Sequence, residues 1–479
     1  MTVTTETPRR LLLNGAWTAG EGGPLEDRSP ATGELVALVS RAARGQVEAA
    51  IDGARAAFRA YRTVPAYRRG EMLHHVSRRI AEREEEFARL IALEVGKPIK
   101  TARVEVNRAV FTFRLAAEEA PRITGQTIPM DVVAGGEGRK GLSFRQPVGV
   151  VGAITPFNFP LNLVAHKVAP ALAAGCTVVL KPASQCPLTA LLLGEVLLEA
   201  GFRDGVVSVL PAANADAGPL ITSPKVAVVS FTGSVPVGKY LRDRAGLKRV
   251  VLELGSNSAN IVTPSADLEH AAATCVTGGF SFAGQSCISV QRIYVQRSVL
   301  GAFLDTLLPK VAALKVGDPL DEATDVGPMV EEDAAARAEA WVNEARAGGA
   351  QVLVGGTRQG ALFAPTVLTD VRPEMRVVCE EVFAPIVDVI PYDRFDEAVA
   401  MVNDSRFGLN AAVFTNDLRE TFRAIDELEV GQVIINDASA YRADHMPYGG
   451  VKEGGLGREG VHYAIEHYTE IKFASINLP

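Results

Sequence analysis

Residues Val148–Lys181 read VGVVGAITPFNFPLNLVAHKVAPALAAGCTVVLK. The run opens with an apolar segment, Val148 to Thr155, that lacks the alternation of a half-buried strand, which marks a strand covered on both faces. A proline-bounded turn leads into a helical stretch, Leu161 to Ala174, and then a second apolar strand, Val178 to Lys181. Strand, helix, strand with both strands apolar throughout is the βαβ unit of a parallel sheet. The pattern continues outward with a helix at Pro187 to Ala200, strands at Val206 to Leu210 and Val226 to Phe231, a helix from Val235 and a strand at Val250 to Leu254. Helices therefore cover both faces of a doubly wound sheet, and ligands of such sheets sit beyond the C-terminal ends of the strands.

A second α/β series starts near Ala259 and runs to about Asp437, with strands expected at Arg292 to Val295, Val352 to Val354, Arg376 to Val378, Ile386 to Ile390, Ala412 to Thr415 and Gln432 to Asn436. Upstream, Gly45 to Tyr61, Ala66 to Val95 and Thr101 to Ala120 read as helices. In the second of these, Met72, Val76, Ile80, Phe87, Leu90 and Ile91 form one apolar stripe among Arg and Glu. Asn14-Gly15-Ala16-Trp17 and the segment Ser29 to Glu34 read as short strands joined by turns, and Met1 to Arg10 as a loose polar start. The hairpin-like piece Thr124 to Phe144 and the tail Ile471 to Pro479 fit neither series.

A chain of 479 residues exceeds one ordinary core, so two or three domains are expected. Hydrophobic content of 47% with 22% charged residues is that of a globular protein, and a net charge of −7 disfavours nucleic acid and anionic membrane as partners. Leu11-Leu12-Leu13 stops at Asn14-Gly15, too short for a signal core or a membrane span, so a cytoplasmic location is expected. The five cysteines are scattered without a CxxC pair, and the histidines lack an HExxH pair, so no metal site is expected.

Two reactive side chains stand out beyond the sheet pattern, the Glu253 carboxylate and the Cys287 thiol. They are too far apart in sequence to share a helix, so they meet only if the chain folds back. A thiolate attacks carbonyl carbon readily, and a nearby carboxylate can take a proton from water. On residue chemistry alone a lone cysteine is more often a small buried hydrophobe. Glu253, however, closes the unbroken apolar run Val250-Val251-Leu252, where a carboxylate is costly unless it has a partner or a task.

Leu252-Glu253-Leu254-Gly255 followed by Gly284-Gln285-Ser286-Cys287 resembles the paired signature of the aldehyde dehydrogenase superfamily, and further matches run across nearly the whole chain. The resemblance implies two doubly wound α/β domains, a Rossmann-like cofactor domain and a catalytic domain, plus a small β oligomerisation arm. The corresponding segments are 1–123 and 148–255 for the cofactor domain, 124–147 for the oligomerisation hairpin, 256–455 for the catalytic domain and 456–479 for a return segment and oligomerisation tail. It also implies a homo-oligomer, dimer or tetramer.

The same resemblance implies Cys287 as nucleophile, Glu253 as general base and Asn158 as the oxyanion-stabilising amide, although an Asn at a helix start is by itself more often an N-cap. Cofactor contacts are implied at Ile154, Thr155, Pro156, Phe157, Lys181, Ala183, Ser184, Phe231, Gly233, Ser234, Gly238, Leu254, Glu381 and Phe383. Phe231-Thr232-Gly233-Ser234 follows a strand and opens a helix, as a pyrophosphate site would, without the usual GxGxxG spacing. Family members that prefer NAD often carry an acid where this chain has Ser184, and a serine beside Lys181 tolerates a 2′-phosphate, so the cofactor is NAD or NADP with NADP or dual use favoured.

The implied reaction takes a small aldehyde through a thiohemiacetal and a hydrolysed thioester to an acid. Coenzyme A-acylating relatives commonly lack the acid at Glu253, so acylation is the alternative, and a non-catalytic protein retaining only the fold is the alternative of another class. The helix after Asn158, the Cys287 to Ile293 run and Asp444 to Lys452 look most like the branch of lactaldehyde dehydrogenases and related oxidisers of small polar aldehydes. Substrate contacts are expected from Phe159, Asn162 and His166, the last two spaced by one helical turn, and from Arg442, whose guanidinium could clamp an anionic group or simply be solvated.

Overall fold

The computed structural model describes residues 7–477; the beginning of the polar N-terminal stretch, Met1–Glu6, and the last two tail residues, Leu478 and Pro479, lie outside the described residues. Near the start, Leu11–Leu13 and Ala16–Thr18 form a hairpin whose two turn residues, Asn14 (φ 50°) and Gly15 (φ 87°), are both left-handed. Two left-handed residues match the twist of the paired strands, and Asn-Gly adopts them at low cost.

That hairpin edges an eight-stranded sheet ordered Ala16–Thr18, Leu11–Leu13, Val207–Val209, Thr177–Lys181, Val150–Ile154, Val226–Thr232, Arg249–Glu253 and Gly455–Leu456. The five central strands are parallel, as their unbroken apolar runs required. Chain order reverses beside Val150–Ile154, with Thr177–Lys181 on one side and Val226–Thr232 on the other. The crevice at such a reversal is where an open parallel sheet receives a ligand. The Asn162–Ala174 helix is buried along its whole length, so its polar side chains Asn162, His166 and Lys167 find partners inside the protein.

The second sheet has seven strands, ordered Gln351–Val354, Thr366–Thr369, Ile386–Tyr392, Arg292–Gln296, Ala259–Val262, Asn410–Phe414 and Gln432–Ile435. Only the edge pair Gln351–Val354 with Thr366–Thr369 is antiparallel. The strand expected at Arg376 to Val378 is instead the short helix Arg376–Cys379, with Val377 and Val378 buried. Three residues carry too little periodicity to separate the two states. The sheet position is filled by Thr366–Thr369, which the sequence reading passed over.

The helix expected over Ala66 to Val95 is two, Ala66–Glu82 and Glu84–Val95, separated at Arg83 (φ −109°, ψ 22°). Arg83 donates to Glu86 at 2.7 Å and to Glu195 at 3.1 Å, and the break places Glu84, Glu85 and Glu86 at a helix N-terminus, where negative charge is favoured.

A third sheet stands apart from both cores. Thr469–Asn477 pairs antiparallel with Arg139–Pro147 along its whole length, and Thr127–Pro129 adds a third strand. Ile128, Phe144, Ile471, Phe473 and Ile476 are exposed on it. Among the described residues no helix is long and apolar enough to cross a membrane.

Candidate active site

Three chain segments converge between the C-terminal edge of the first sheet and the N-terminal edge of the second. The first is the turn after Val150–Ile154, which carries Asn158. Lys97, wholly buried, donates to the Asn158 carbonyl at 2.7 Å, pairs with Glu105, and lies 3.8 Å from the Phe159 ring centroid and 4.5 Å from that of Phe282. The other Glu105 oxygen accepts the backbone N–H groups of Leu161 (2.9 Å) and Asn162 (3.1 Å), capping the helix that follows. Asn158 is therefore not that helix's cap. Its amide nitrogen donates to the Gln285 carbonyl at 3.1 Å, while its amide oxygen has no partner.

The second segment leads to Cys287. Phe282 (φ 50°), Ala283 (φ 52°) and Gly284 (φ 66°) are three consecutive left-handed residues, a conformation that costs free energy at each non-glycine position and persists only where the surroundings hold it. A β-carbon on Gly284 would overlap the Ala384 carbonyl, so only glycine fits. Gln285, fully buried, accepts from the Val330 N–H at 2.9 Å and fixes the turn to the second core. Cys287 emerges half-buried, its sulfur 3.0 Å from the Tyr448 hydroxyl. Burial pushes the Cys287 thiol up to about 12, against the Tyr448 hydrogen bond and the Arg442 charge.

The third segment is Asn436 to Glu459, with Glu253 behind it. Glu253 ends its strand almost wholly buried, and neither carboxylate oxygen has a partner. It lies against Gly449, where a β-carbon would come within 2.8 Å of Glu253 Oε1. Burial, and then the charge of Glu459, push its carboxyl well above the ordinary range, against Arg442, Lys167 and Arg458. Burial would also raise Glu459, but Lys167 at 2.8 Å and Arg442 at 2.9 Å outweigh it and hold Glu459 at about 2. The Arg442 Nε atom is buried and unpartnered.

Asp444 gathers the polar groups of the buried helix. It accepts from Asn162 at 3.0 Å, from His166 at 2.9 Å and from Arg108 at 2.7 and 3.1 Å. Burial opposes its ionisation, but His166 and Arg108 outweigh that and hold the carboxyl far below its ordinary value. Burial and the nearby Arg442 in turn hold His166 below its usual value, against Asp444 and Glu459.

A cavity of about 470 Å³ opens between these segments, and its wall includes Asn158, Phe159, Asn162, Cys287, Arg442 and Tyr448. Arg108, Ser281, Thr274 and Thr277 add polar groups to the same wall. His166 is not on it, and the Asn162 amide is committed to Asp444 and to the Thr112 hydroxyl, which lies 3.1 Å from its oxygen. Glu253 also lies behind the wall rather than on it. Sequence reasoning took Asp444 and Tyr448 only as part of the Asp444 to Lys452 run, without a role for either, and passed over Arg108, Lys97 and Glu105. The only signal for them is long-range pairing, since Lys97 follows Gly96 in what reads as an ordinary interhelical turn.

On the side of the first sheet, Ile154, Thr155, Lys181, Phe231 and Leu254 lie at or just beyond C-terminal strand ends, with Pro156 and Phe157 in the following turn and Ala183 and Ser184 after Lys181. The Thr155 hydroxyl is buried without a partner. Lys181 is buried, its nearest acceptor is the Pro182 carbonyl at 3.4 Å, and burial depresses its ammonium. Gly233 and Ser234 start the Val235–Arg244 helix, a β-carbon on Gly233 would overlap the Phe231 ring, and one on Gly238 would come within 2.5 Å of Leu254. From the second sheet, Glu381 accepts the Ser256 N–H at 3.0 Å and burial raises its carboxyl to about 7, while Phe383 (φ 48°) meets Phe157 edge-on at 5.9 Å.

The family model described as aldehyde dehydrogenase family matches residues 17–474. A 3-sulfolactaldehyde dehydrogenase of Priestia megaterium is 47% identical over 470 residues, spanning 98% of this chain and 98% of that protein. A lactaldehyde dehydrogenase of Methanocaldococcus jannaschii is 39% identical over 468 residues, spanning 96% of this chain and 99% of that one. Among solved structures, aldehyde dehydrogenase 21 from Physcomitrella patens in complex with the reaction product succinate superposes with a TM-score of 0.96 at 42% identity, covering 98% of this chain and 99% of that chain. With its fold and motifs matched from end to end, the chain belongs to the aldehyde dehydrogenase family.

Proposed function

We propose that this protein oxidises a small polar or anionic aldehyde to its carboxylic acid with NAD⁺ or NADP⁺ and hydrolyses a thioester on Cys287. The observation that carries this reading is the hydrogen bond from the Asn158 amide to the Gln285 carbonyl, two residues from Cys287, on the wall of one cavity. It supports an amide donor on the same cavity wall as the thiol, with a buried acid behind that has no partner among the described residues.

The residues at the crevice fit a dinucleotide. Lys181 is a buried cation without a counter-charge, the Thr155 hydroxyl is buried without a partner, and the Val235–Arg244 helix points its N-terminus to the strand ends. Lys181 and Ser184 would hold the adenosine ribose side, Gly233 and Ser234 the pyrophosphate, Glu381 and Phe383 the nicotinamide riboside. When bound, the nucleotide supplies the hydride acceptor.

Cys287 attacks the carbonyl carbon as a thiolate, and the negative oxygen that results accepts hydrogen bonds from the Asn158 amide and the Cys287 backbone N–H. Glu253, in its carboxylate form, takes a proton from the water that attacks the thioester, and the sulfur leaves with its electron pair.

Arg108 and Arg442 on the cavity wall support an anionic substituent on the substrate, as does the relative named for 3-sulfolactaldehyde, and the relative named for lactaldehyde supports a small hydroxylated one. The exposed apolar residues of the third sheet support a homo-oligomer in which that sheet is covered by a second copy. The two sheet units and this arm support the division into cofactor, catalytic and oligomerisation parts, and unpaired cysteines support a reducing, cytoplasmic setting.

The test is a panel of 3-sulfolactaldehyde, lactaldehyde, glyceraldehyde 3-phosphate, succinate semialdehyde and an unbranched aliphatic aldehyde, each with both nucleotides. The expected result is highest kcat/KM for an anionic or hydroxylated member without coenzyme A. Preference for the aliphatic aldehyde refutes the polar pocket, and no nucleotide reduction with any aldehyde refutes the activity.

A further inference from the structure

The only hydrogen-bond partner of the Cys287 sulfur among the described residues is the Tyr448 hydroxyl, at 3.0 Å, and that hydroxyl has no other partner. Phenol and thiol therefore form an isolated pair on the cavity wall. The ring is almost wholly buried and fixed from several directions. The Tyr448 N–H donates to the Glu459 carbonyl at 3.0 Å, and the Glu459 N–H donates back at 2.6 Å. Arg442 lies over the ring, with its guanidinium carbon 3.6 Å from the centroid, and its Nη2 donates to the Glu459 carboxylate. Lys167, from the buried helix, holds the other Glu459 oxygen. Of the residues in this chain of contacts only Tyr448 and Arg442 reach the cavity wall, and together the contacts fix the position of the phenol oxygen.

We propose that Tyr448 is a further catalytic residue of this site: its O–H donates to the Cys287 sulfur whenever that sulfur is negatively charged, with Arg442 as the residue that positions the phenol. The inference rests on the reading of Cys287 as the nucleophile and deepens it. Charge reaches the sulfur twice. Before attack, the thiol proton departs to solvent and the S⁻ electron pair forms the C–S bond. In hydrolysis, water oxygen forms the new C–O bond, its proton goes to Glu253, and the C–S bond breaks with its pair returning to sulfur. The phenol O–H meets that pair in both steps and keeps its own proton.

Charge-assisted bonds of this kind are the strong ones, and they matter most for a thiol that burial has made hard to ionise. Each pH unit by which a donor lowers the thiol pKa raises the thiolate population about tenfold and lowers its intrinsic nucleophilicity about threefold, a net gain of about threefold. The gain persists while the thiol pKa stays above the working pH.

The test is the rate at which iodoacetamide alkylates Cys287 in the full-length protein between pH 7 and 9, together with steady-state kinetics. Tyr448→Phe keeps the ring and its stacking on Arg442 and removes only the donor. It is expected to slow alkylation at least about threefold at every pH and to lower kcat more than it changes KM for the aldehyde. Fluorotyrosines at position 448, which keep the shape and strengthen the donor, are expected to speed alkylation in order of phenol acidity. A purely structural Tyr448 would move thermal stability and leave both alkylation series flat, and flat series overturn the proposal. If Tyr448→Phe does not fold, the fluorotyrosine series decides alone. The underlying reading is tested separately in the unmodified protein: if it still oxidises aldehyde after complete alkylation of Cys287, that reading fails whatever the Tyr448 results.

Discussion

Glu253 and Glu459 are buried acids close enough to sense each other, and their surroundings drive them to opposite states. Glu459 has two cations against it and stays ionised, whereas Glu253 has none in contact and holds its proton to unusually high pH. Water activation needs the Glu253 carboxylate, so hydrolysis-limited turnover is expected to rise with pH through a value above the ordinary carboxylate range, and Glu253→Gln to give one burst of reduced nucleotide and then stall. Pre-steady-state absorbance of the nucleotide at several pH values checks both, and full turnover by the variant removes Glu253 from its role.

The stability signs of the two acids are opposite as well. A raised folded pKa stabilises at low pH and loses that contribution as pH climbs through it, so Glu253 favours the fold in its protonated form. The depressed Glu459 contributes above its unfolded value of 4.5 and loses the contribution as pH falls toward about 2. Urea unfolding should therefore show Glu459→Gln destabilised at pH 7, where it also leaves Lys167 and Arg442 buried without their counter-charge, and less so as pH falls toward about 2. On the nucleotide side, Ser184→Glu places a carboxylate near the adenosine ribose and is expected to lower the NADP-to-NAD ratio of kcat/KM by about tenfold or more.

Among elements, the legible parts were those whose register is set locally. The parallel strands of the first sheet could be read because burial on both faces writes an unbroken apolar run, and Glu253 stood out as the one acid ending such a run. Arg376–Cys379 could not, because four residues of mixed character form a helix or a strand according to what packs on them. Cys287 was legible as a reactive group from its signature, but the left-handed path that presents it was not, since Phe282 and Ala283 are ordinarily right-handed residues and only Gly284 hints at the turn. The Lys97–Glu105 pair was illegible for a related reason: Lys97 reads as a solvated charge of an interhelical turn and Glu105 as one of a helix face, and only the fold buries both.

That pair ties the helix layer to the Asn158 turn and to Phe282 at once. Lys97→Met is expected to leave Glu105 an uncompensated buried charge, to cost about 3–5 kcal/mol, and to lower kcat as the Asn158 turn loosens. Thermal unfolding and kcat measured together check it, and an unchanged melting temperature would be incompatible with the buried pair.

At the scale of the whole molecule, the site belongs to neither sheet alone. The C-terminal edge of one and the N-terminal edge of the other contribute Glu253 and Cys287, so the two sheet units must keep their relative position during catalysis. The third sheet stands away from both cores with its apolar residues exposed. Changing Ile471 and Phe473 together to Asp is expected to lower the assembly state seen by sedimentation velocity while leaving the sulfur's neighbours intact, because no residue of that sheet lines the cavity.

The order in which the site's parts lie along the chain also matters during synthesis. Asn158, Glu253 and Cys287 are all translated well before Ala384, against which the Phe282–Gly284 turn is wound, and before Tyr448 and Glu459. A nascent polypeptide that has just extended past Cys287 on the ribosome thus carries the proposed nucleophile, base and amide donor without Ala384, Tyr448 or Glu459, which surround them in the folded chain. At that point its thiol lacks both the burial that pushes it up and the Tyr448 hydroxyl that meets it in the folded chain.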